Sequence, residues 1–210
     1  MQAITLDTAL EQIAIYLEVD AQQLKVYAEE DQIGGFAFND IPMKNQRWPI
    51  GSIWEPEGKV LYVLIRYFKP KIIVEVGTYY GCSTAHLVTA CARNDKGLVY
   101  CVDIDFEKME LDPLFAKYVQ RIETDALQWI PDFDIDFLFE DGEHCLGFTE
   151  TIMRNCLPQV RTDGLVLCHD YFHNTVSVYV RSEFDRATKN QAQGVLIEPS
   201  DCGLGYFQKR

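Results

Sequence analysis

The sequence has few basic residues, no long apolar run and no typical leader at its N-terminus. Its 210 residues include 32 Asp and Glu against 19 Lys and Arg, a formal net charge of −13. Because a phosphate backbone is bound mainly through Lys and Arg, this charge argues against nucleic acid as a partner. No stretch reaches the ~20 apolar residues that a membrane helix requires. The first residues carry acids and no basic segment before an apolar one, so a signal peptide is not predicted.

Paired-cysteine motifs are also absent. None of the seven cysteines lies in a Cys-x-x-Cys pair, and several stand inside apolar runs. An odd number of such residues indicates buried free thiols in a reducing compartment. With the charge and the lack of a long apolar run, this pattern predicts a cytoplasmic protein that binds neither nucleic acid nor membrane and is compatible with a homo-oligomer.

The first 54 residues differ in pattern from the rest. Apolar residues near a 3.6-residue spacing predict a helix over residues 5–30, with Thr5 or Asp7 as its cap. Residues 31–53 are rich in Gly, Pro, Asn and aromatics, which is typical of a loop. We interpret residues 1–54 as a helix and loop that cover the site. The aromatic residues there either close over an acceptor or pack under the loop: Phe36, Phe38, Trp48 and Trp54.

Strand and helix patterns alternate over residues 55–210. Apolar, β-branched runs predict strands at 71–76, 97–104, 118–125, 133–141 and 164–170, with helical patterns between them. Two more short strands are predicted on either side of a turn at 201–203. This order predicts an α/β fold, a doubly wound, mostly parallel, seven-stranded Rossmann-like sheet with an antiparallel C-terminal pair. In such sheets the site lies at the carboxyl ends of the strands.

A glycine turn follows the first strand, in the order Glu75-Val-Gly77-Thr-Tyr-Tyr-Gly81. It is neither a Walker loop nor the dinucleotide motif G-x-G-x-x-G, because Tyr79 stands where the second glycine admits a pyrophosphate. Asp103 ends the second strand, 26 positions after Gly77, where a carboxylate accepts hydrogen bonds from ribose hydroxyls. Together these features favour a nucleoside without phosphates. The alternatives are a plain turn and a solvated or helix-capping carboxylate.

The segment EGKVLYVLIRYFKPKIIVEVGTYYGCSTAHLV resembles the first helix, strand and cofactor turn of class I S-adenosylmethionine (SAM)-dependent methyltransferases. It is nearest to the catechol O-methyltransferase-like branch and its bacterial small-molecule relatives, and the resemblance covers residues 55–170. It implies that SAM contacts Glu75, Gly77, Thr78, Tyr79, Gly81, Ser83, Asp103, Ile104, Asp125, Ala126 and Asp141. Asp125 would face the adenine amino group, although it could equally be a helix N-cap.

Acids and imidazoles follow the fourth and fifth predicted strands. Asp141 and Asp170 should converge, since these strands are neighbours in a sheet of this type, and paired carboxylates suit Mg²⁺ or another divalent cation. His169 would add a nitrogen ligand and favour a transition metal. The resemblance implies ligands at Asp141, Asp170 and Tyr171, but Tyr171 departs from the Asn or Glu usual there. The alternative is that Asp141 contacts only SAM and that His169 only packs.

His144 lies three residues after Asp141, where the resembling enzymes place a lysine base. An imidazole with an ordinary pKa near ~6.5 accepts a proton from a hydroxyl at neutral pH. We therefore predict a SAM-dependent methyltransferase that acts on a small-molecule hydroxyl, with His144 and Asp141 as catalytic residues and a metal at Asp141, His169 and Asp170. The alternatives are a SAM-binding protein that transfers no methyl group and acts through partners, and a methyltransferase for macromolecules.

Overall fold

Seven strands form one sheet in the computed structural model, which describes residues 2–31 and 51–210. The strand order is β3-β2-β1-β4-β5-β7-β6. The strands are β1 Ile72–Val76, β2 Leu98–Asp103, β3 Val119–Glu123, β4 Ile135–Glu140, β5 Val160–Cys168, β6 Gln193–Val195 and β7 Leu204–Gln208. Strands β1 to β5 are parallel, whereas β7 pairs antiparallel with both β5 and β6. The predicted fold class is therefore confirmed, and β4 and β5 are neighbours as expected.

The N-terminal helical pattern is two helices and not the single helix predicted. Helix α1 spans Leu6–Leu17 and α2 spans Ala21–Glu30. Glu18 ends α1 in the left-handed conformation (φ 57°), and the Asp20 side chain accepts hydrogen bonds from the backbone N–H groups of the first turn of α2. An aspartate at this position starts a new helix because it satisfies these unpaired donors. Thr5, one of the two predicted caps, is the N-cap of α1.

Helices cover both faces of the sheet. They are α3 Glu55–Phe68, α4 Cys82–Asn94, α5 Phe148–Cys156 and α6 Ser177–Ala187. Successive residues of β4 point to opposite faces: Phe137 and Phe139 pack in one apolar cluster with α1 to α4, and Leu138 packs in another with α5 and α6. A strand buried on both faces needs apolar residues at nearly every position, which is why these strands read as continuous apolar runs.

The N-terminal helices belong to the same core as α3 and α4. Leu10, Ile13 and Leu24 are fully buried in that cluster, and Tyr16 packs edge-on against Tyr206 of β7. Residues 32–50 of the predicted cover, including Phe36, Phe38 and Trp48, lie outside the described residues. Its role as a cover over the site stays a prediction. No helix among the described residues is long and apolar enough to cross a membrane.

All seven cysteines are free thiols. Six of them are buried and Cys145 is exposed. Burial raises the pKa of Cys91 to about 12, so this thiol stays protonated and behaves as a small apolar side chain. The prediction of free, mostly buried thiols is confirmed.

Candidate functional site

A cavity of about 370 Å³ opens at the carboxyl ends of β1 to β4. The predicted residues that line it are Gly77, Thr78, Tyr79, Ser83, Asp103, Ile104, Asp125, Ala126, Asp141 and His144. Other lining residues were not among the predicted contacts: Gly51, Ser52, Ile53, Val76, Cys82, Val102, Gly142, Glu143 and Phe148. Several adjoin predicted residues in the sequence, whereas only the tertiary structure brings Gly51, Ser52, Ile53 and Phe148 to the cavity. Its volume is within the range of small-molecule sites, about 300–1,000 Å³.

Gly77 allows the first turn to lie directly against the loop after β4. Its φ is +84°, and a Cβ atom built on it would lie 2.1 Å from the backbone oxygen of Asp141. The backbone N–H of Asp141 also donates to the carbonyl of Val76 at 2.9 Å. The glycine is therefore required by the approach of two backbones as well as by its positive φ. This contact sets the position of Asp141 relative to the cofactor turn.

Glu75 is not among the residues that line the cavity, and its predicted contact with SAM stays a prediction. Its side chain is fully buried and accepts hydrogen bonds from the hydroxyls of Ser83 (2.6 Å) and Thr84 (2.5 Å). Burial raises the pKa of Glu75 from 4.5 to about 7, against the effect of these donors. Glu75 thus holds the first turn of α4 beneath the site.

Gly81 is likewise absent from the cavity wall. It is the N-cap of α4 with a φ of +84°. A Cβ built there would lie 3.3 Å from the side chain of Met109. Gly81 starts the helix in a left-handed conformation, and its predicted contact with SAM stays a prediction.

Asp103 and Asp125, two further acids of the predicted cofactor set, accept hydrogen bonds from backbone N–H groups. Oδ2 of Asp103 accepts from the N–H groups of Thr78 (2.7 Å) and Tyr79 (3.0 Å), and Oδ1 accepts from Ile104 (2.7 Å). Since a carboxylate has about four acceptor positions, Asp103 retains one on the side of the cavity. Asp125 lines the cavity and also accepts from the N–H of Leu127 at 2.9 Å. Only a turn follows Asp125 before β4, so the alternative of a helix N-cap is wrong, and its contact with adenine stays a prediction.

His144 and Asp170 meet at the rim beside the cavity. Nε2 of His144 lies 2.7 Å from Oδ2 of Asp170, and 34% of the His144 side chain is exposed. The contact with Asp170 raises the pKa of His144, and burial opposes it. Asp170 has a positive φ of 53°, which is uncommon for a residue other than glycine and is typical of functional positions. The pair resembles a base and its orienting carboxylate.

His169 lies between three carboxylates behind this rim. Nδ1 is 3.0 Å from Oδ1 of Asp141 and 3.2 Å from Oδ2 of Asp170, while Nε2 is 3.0 Å from Oε2 of Glu57. Burial alone would lower the pKa of His169, but Asp141, Glu57 and Asp170 raise it well above its ordinary 6.5. Burial also acts to raise the pKa of Asp170, yet His169 and His144 hold it below its ordinary value.

The predicted metal ligands Asp141, His169 and Asp170 lie at one rim, where Nδ1 of His169 pairs with both carboxylates. The ligand atoms of His169, Asp170 and Cys202 lie within 4.8 Å of one another. The ligand atoms of Asp141, His144 and Asp170 also lie within 4.8 Å of one another. Tyr171 takes no part, because its hydroxyl donates to Asp185 on α6 at 2.6 Å.

Two buried glutamates near the rim were missed by the sequence reasoning. Glu140 accepts from the N–H of Gly142 (3.3 Å) and from Thr149 (3.2 Å), so it shapes the turn after β4. Glu57 is completely buried on α3. In the sequence it reads only as an acid in the first turn of a helix, where such residues are common. Its contact with His169 spans 112 positions and has no local signal.

Part of the chain is similar to known proteins. Residues 74–171 match the family model described as "Methyltransferase domain". A curated relative, uncharacterized protein y4gI of Sinorhizobium fredii (strain NBRC 101917 / NGR234), is 27% identical over 138 residues. That match covers 57% of this chain and 15% of the relative, so the chain spans a small part of the length of this relative.

Solved structures of methyltransferases share the fold. One is the O-methyltransferase TomG from Streptomyces achromogenes in complex with SAM, with a TM-score of 0.58, 16% identity, and coverage of 80% of this chain and 86% of that one. Another is the methyltransferase PaMTH1 of Podospora anserina bound to S-adenosylhomocysteine (SAH), with a TM-score of 0.56, 16% identity, and coverage of 100% and 99%. At 16% identity, the structural similarity shows only that the fold is shared. Residues 74–171 thus match a methyltransferase domain, and the sheet that contains them has the fold of these methyltransferases.

Proposed function

We propose that this protein transfers the methyl group of SAM to a hydroxyl of a small-molecule acceptor. The observation that carries the proposal is the position of His144. It lines the same cavity as Asp103 and the Gly77 turn, and its imidazole is held by Asp170 at 2.7 Å. A nucleoside pocket and an oriented base in one cavity are what methylation of a hydroxyl requires.

Some residues of the chain would bind SAM, and His144 would accept the proton of the acceptor hydroxyl. SAM supplies the electrophilic methyl group when it is bound. The Gly77 turn and Asp103 orient the nucleoside and thereby align the methyl group with the acceptor oxygen, which is the main source of rate in such a displacement. As the acceptor oxygen forms its new bond to carbon, its proton passes to His144, and Asp170 stabilises the charged imidazole.

A divalent cation at Asp141, His169 and Asp170 is part of this proposal. The two carboxylates support it because their ligand atoms, together with that of His144, lie within 4.8 Å of one another. A nitrogen ligand at His169 would favour a transition metal such as Mn²⁺ over Mg²⁺. A bound cation would lower the pKa of an acceptor hydroxyl near it. A small acceptor is favoured over a nucleic acid by the net charge of −13.

The first test is a thermal-shift comparison of SAH with NAD. A ligand at 100 times its Kd stabilises the folded state by ~2.7 kcal/mol. We expect SAH to raise Tm and NAD to leave it unchanged. No shift with millimolar SAH would refute the nucleoside assignment.

The second test concerns the base. In an assay of methyl transfer to a panel of hydroxylated small molecules, His144→Asn should lower kcat by about 10²- to 10⁴-fold while SAH affinity is retained. His173→Asn is the matched control, since His173 lies outside the cavity wall and its Nδ1 accepts only a local N–H from Thr175. SAH binding without turnover on any acceptor would favour the alternative of a SAM-binding protein that transfers no methyl group.

A further inference from the structure

Glu183 is a buried carboxylate that holds the start of a neighbouring helix. It lies on α6, and only 1% of its surface is exposed. Oε1 accepts a hydrogen bond from the backbone N–H of Gly147 (2.7 Å), and Oε2 accepts one from the N–H of Glu150 (3.0 Å). A buried carboxylate is tolerated only when its oxygens are paired, and the positive end of the α5 dipole adds to these two bonds.

Helix α5 depends on Glu183 because it has no side-chain cap of its own. Its N-cap is Gly147, which has no side chain that could accept a hydrogen bond. An N-cap side chain commonly accepts from the N–H of the third helical residue, which is Glu150 here. Glu183 accepts from that N–H instead, so the start of α5 is fastened to α6.

The loop that carries His144 ends at this contact. It consists of residues 141–147, connects β4 to α5, and is called the His144 loop below. At its first end, the backbone N–H of Asp141 donates to a carbonyl of β1 at 2.9 Å. At its last end, the N–H of Gly147 donates to Glu183. The loop is therefore fastened to the sheet at one end and to α6 at the other.

Helix α6 also holds the segment that carries the partner of His144. Asp170 lies between β5 and α6, and the hydroxyl of its neighbour Tyr171 donates to Asp185 on α6 at 2.6 Å. Asp185 and Glu183 lie two residues apart on this helix. One helix thus contacts both segments that bring His144 to within 2.7 Å of Asp170.

We propose that Glu183 is a positioning residue that keeps His144 beside Asp170. It does not line the cavity, and it acts by fixing the end of the His144 loop to α6. A displacement of ~1 Å costs a catalytic group much of its effect, even when the change that causes it is remote from the chemistry. The inference rests on the proposed function, in which His144 is the base.

The test substitution is Glu183→Gln, which keeps the size of the side chain. The amide oxygen accepts from one of the two N–H groups, and the amide NH₂ faces the other, which is also a donor. One of the two bonds is therefore lost. Glu150→Gln is the matched control, because it removes the same charge at the start of α5 and keeps the backbone N–H. The Glu150 side chain is 48% exposed and pairs with Arg186 at the surface.

The first measurement needs no acceptor, because the His144 loop carries its own labelling site. Cys145 is exposed, and the other six cysteines are buried. A nitroxide on Cys145 of the full chain reports the motion of the loop in its electron paramagnetic resonance line shape. We expect Glu183→Gln to shift the line shape towards faster motion and Glu150→Gln to match the wild type. All three proteins should retain SAH affinity before labelling.

The second measurement is methyl transfer to a panel of hydroxylated small molecules. Glu183→Gln should lower kcat by about 10- to 100-fold, while the KM for SAM and the SAH affinity stay as in the wild type. A change that only weakens the fold would lower Tm without this split between kcat and KM. Glu150→Gln should keep the wild-type kcat.

The outcomes separate this inference from the proposed function. Unchanged line shape and kcat in Glu183→Gln, or equal changes in both variants, would overturn the positioning role. A wild type that does not bind SAH would refute the nucleoside assignment. A wild type that binds SAH and methylates no acceptor would refute the proposed reaction, and the line shapes would still show whether Glu183 holds the loop.

A third measurement does not depend on the folding of a variant. Amide hydrogen exchange of the wild type should be slow at Gly147 and Glu150, because each N–H donates to a buried carboxylate. The first N–H groups of a helix otherwise have no partner within the helix and exchange readily. Fast exchange at both positions would contradict the inference.

Discussion

Replacement of Gly77 by alanine should destabilise the protein and impair the site through one backbone clash. The added Cβ would lie 2.1 Å from the backbone oxygen of Asp141, and backbone atoms cannot rotate away as a side chain does. Left-handed backbone costs an alanine about 1–2 kcal/mol. Forced overpacking adds about 1–3 kcal/mol. We therefore expect a loss of about 2–5 kcal/mol in the free energy of unfolding.

Gly147 offers a matched control for this substitution. Its φ of +86° is almost that of Gly77 (+84°), yet a Cβ built on it would meet no atom within 4 Å. Gly147→Ala should therefore cost only the conformational part, about 1–2 kcal/mol. Its N–H, which donates to Glu183 at 2.7 Å, is kept in alanine.

Urea denaturation gives the free energy of unfolding of both variants, and isothermal titration calorimetry gives their SAH affinity. For a chain of this size, each kcal/mol lowers Tm by about 2–4 °C. Gly77→Ala should also weaken SAH binding, since the cofactor turn and Asp141 are pushed apart, while Gly147→Ala should not. Equal losses of stability in the two variants would refute the close approach as the reason for Gly77.

The remaining predictions concern two acids, one behind the cavity and one in its wall. Because the pKa of Glu75 is raised from 4.5 to about 7, the folded state binds the proton more tightly than the unfolded state. Stability from this group is therefore present below about pH 4.5 and is lost as pH rises to about 7, by roughly 3 kcal/mol. Glu75→Gln should remove this slope from a plot of unfolding free energy against pH, and an unchanged slope would contradict the assignment. Asp103→Asn should weaken SAH binding by about 10- to 100-fold, since a charge-assisted hydrogen bond contributes about 1.5–3 kcal/mol. Asp105→Asn, at an exposed position two residues further on, should have no effect in the same calorimetric titration, and equal effects would argue against Asp103 as the ribose partner.

Much of the sheet could be predicted because its strands carry strong local signals. A strand buried on both faces is a continuous apolar run, and β1, β2, β4 and the second half of β5 all have this pattern. The break between α1 and α2 could not be predicted from periodicity, because the apolar spacing continues across it. Only the left-handed Glu18 and the cap by Asp20 interrupt the helix.

Residues of the candidate site could be predicted from the sequence where they lie at or just after the end of a strand. Asp103, Asp141, His144 and Asp170 follow strand ends, and parallel strands bring their carboxyl ends to one edge. Glu75 lies inside β1, one residue before its end, and is not among the residues that line the cavity. The alternation of side chains along β1 directs it under α4, where Ser83 and Thr84 bind it. Position in the chain thus indicates the edge of the sheet and not the side chain's direction.

The sequence by itself determined the fold class, the order of elements and the glycine turn, because these depend on local periodicity and on backbone freedom. The tertiary structure decided which side chains meet. Glu57 and His169 are 112 positions apart, and their contact arises because α3 and the end of β5 converge beneath the rim. No local pattern encodes such a meeting, since it depends on how helices pack against the completed sheet.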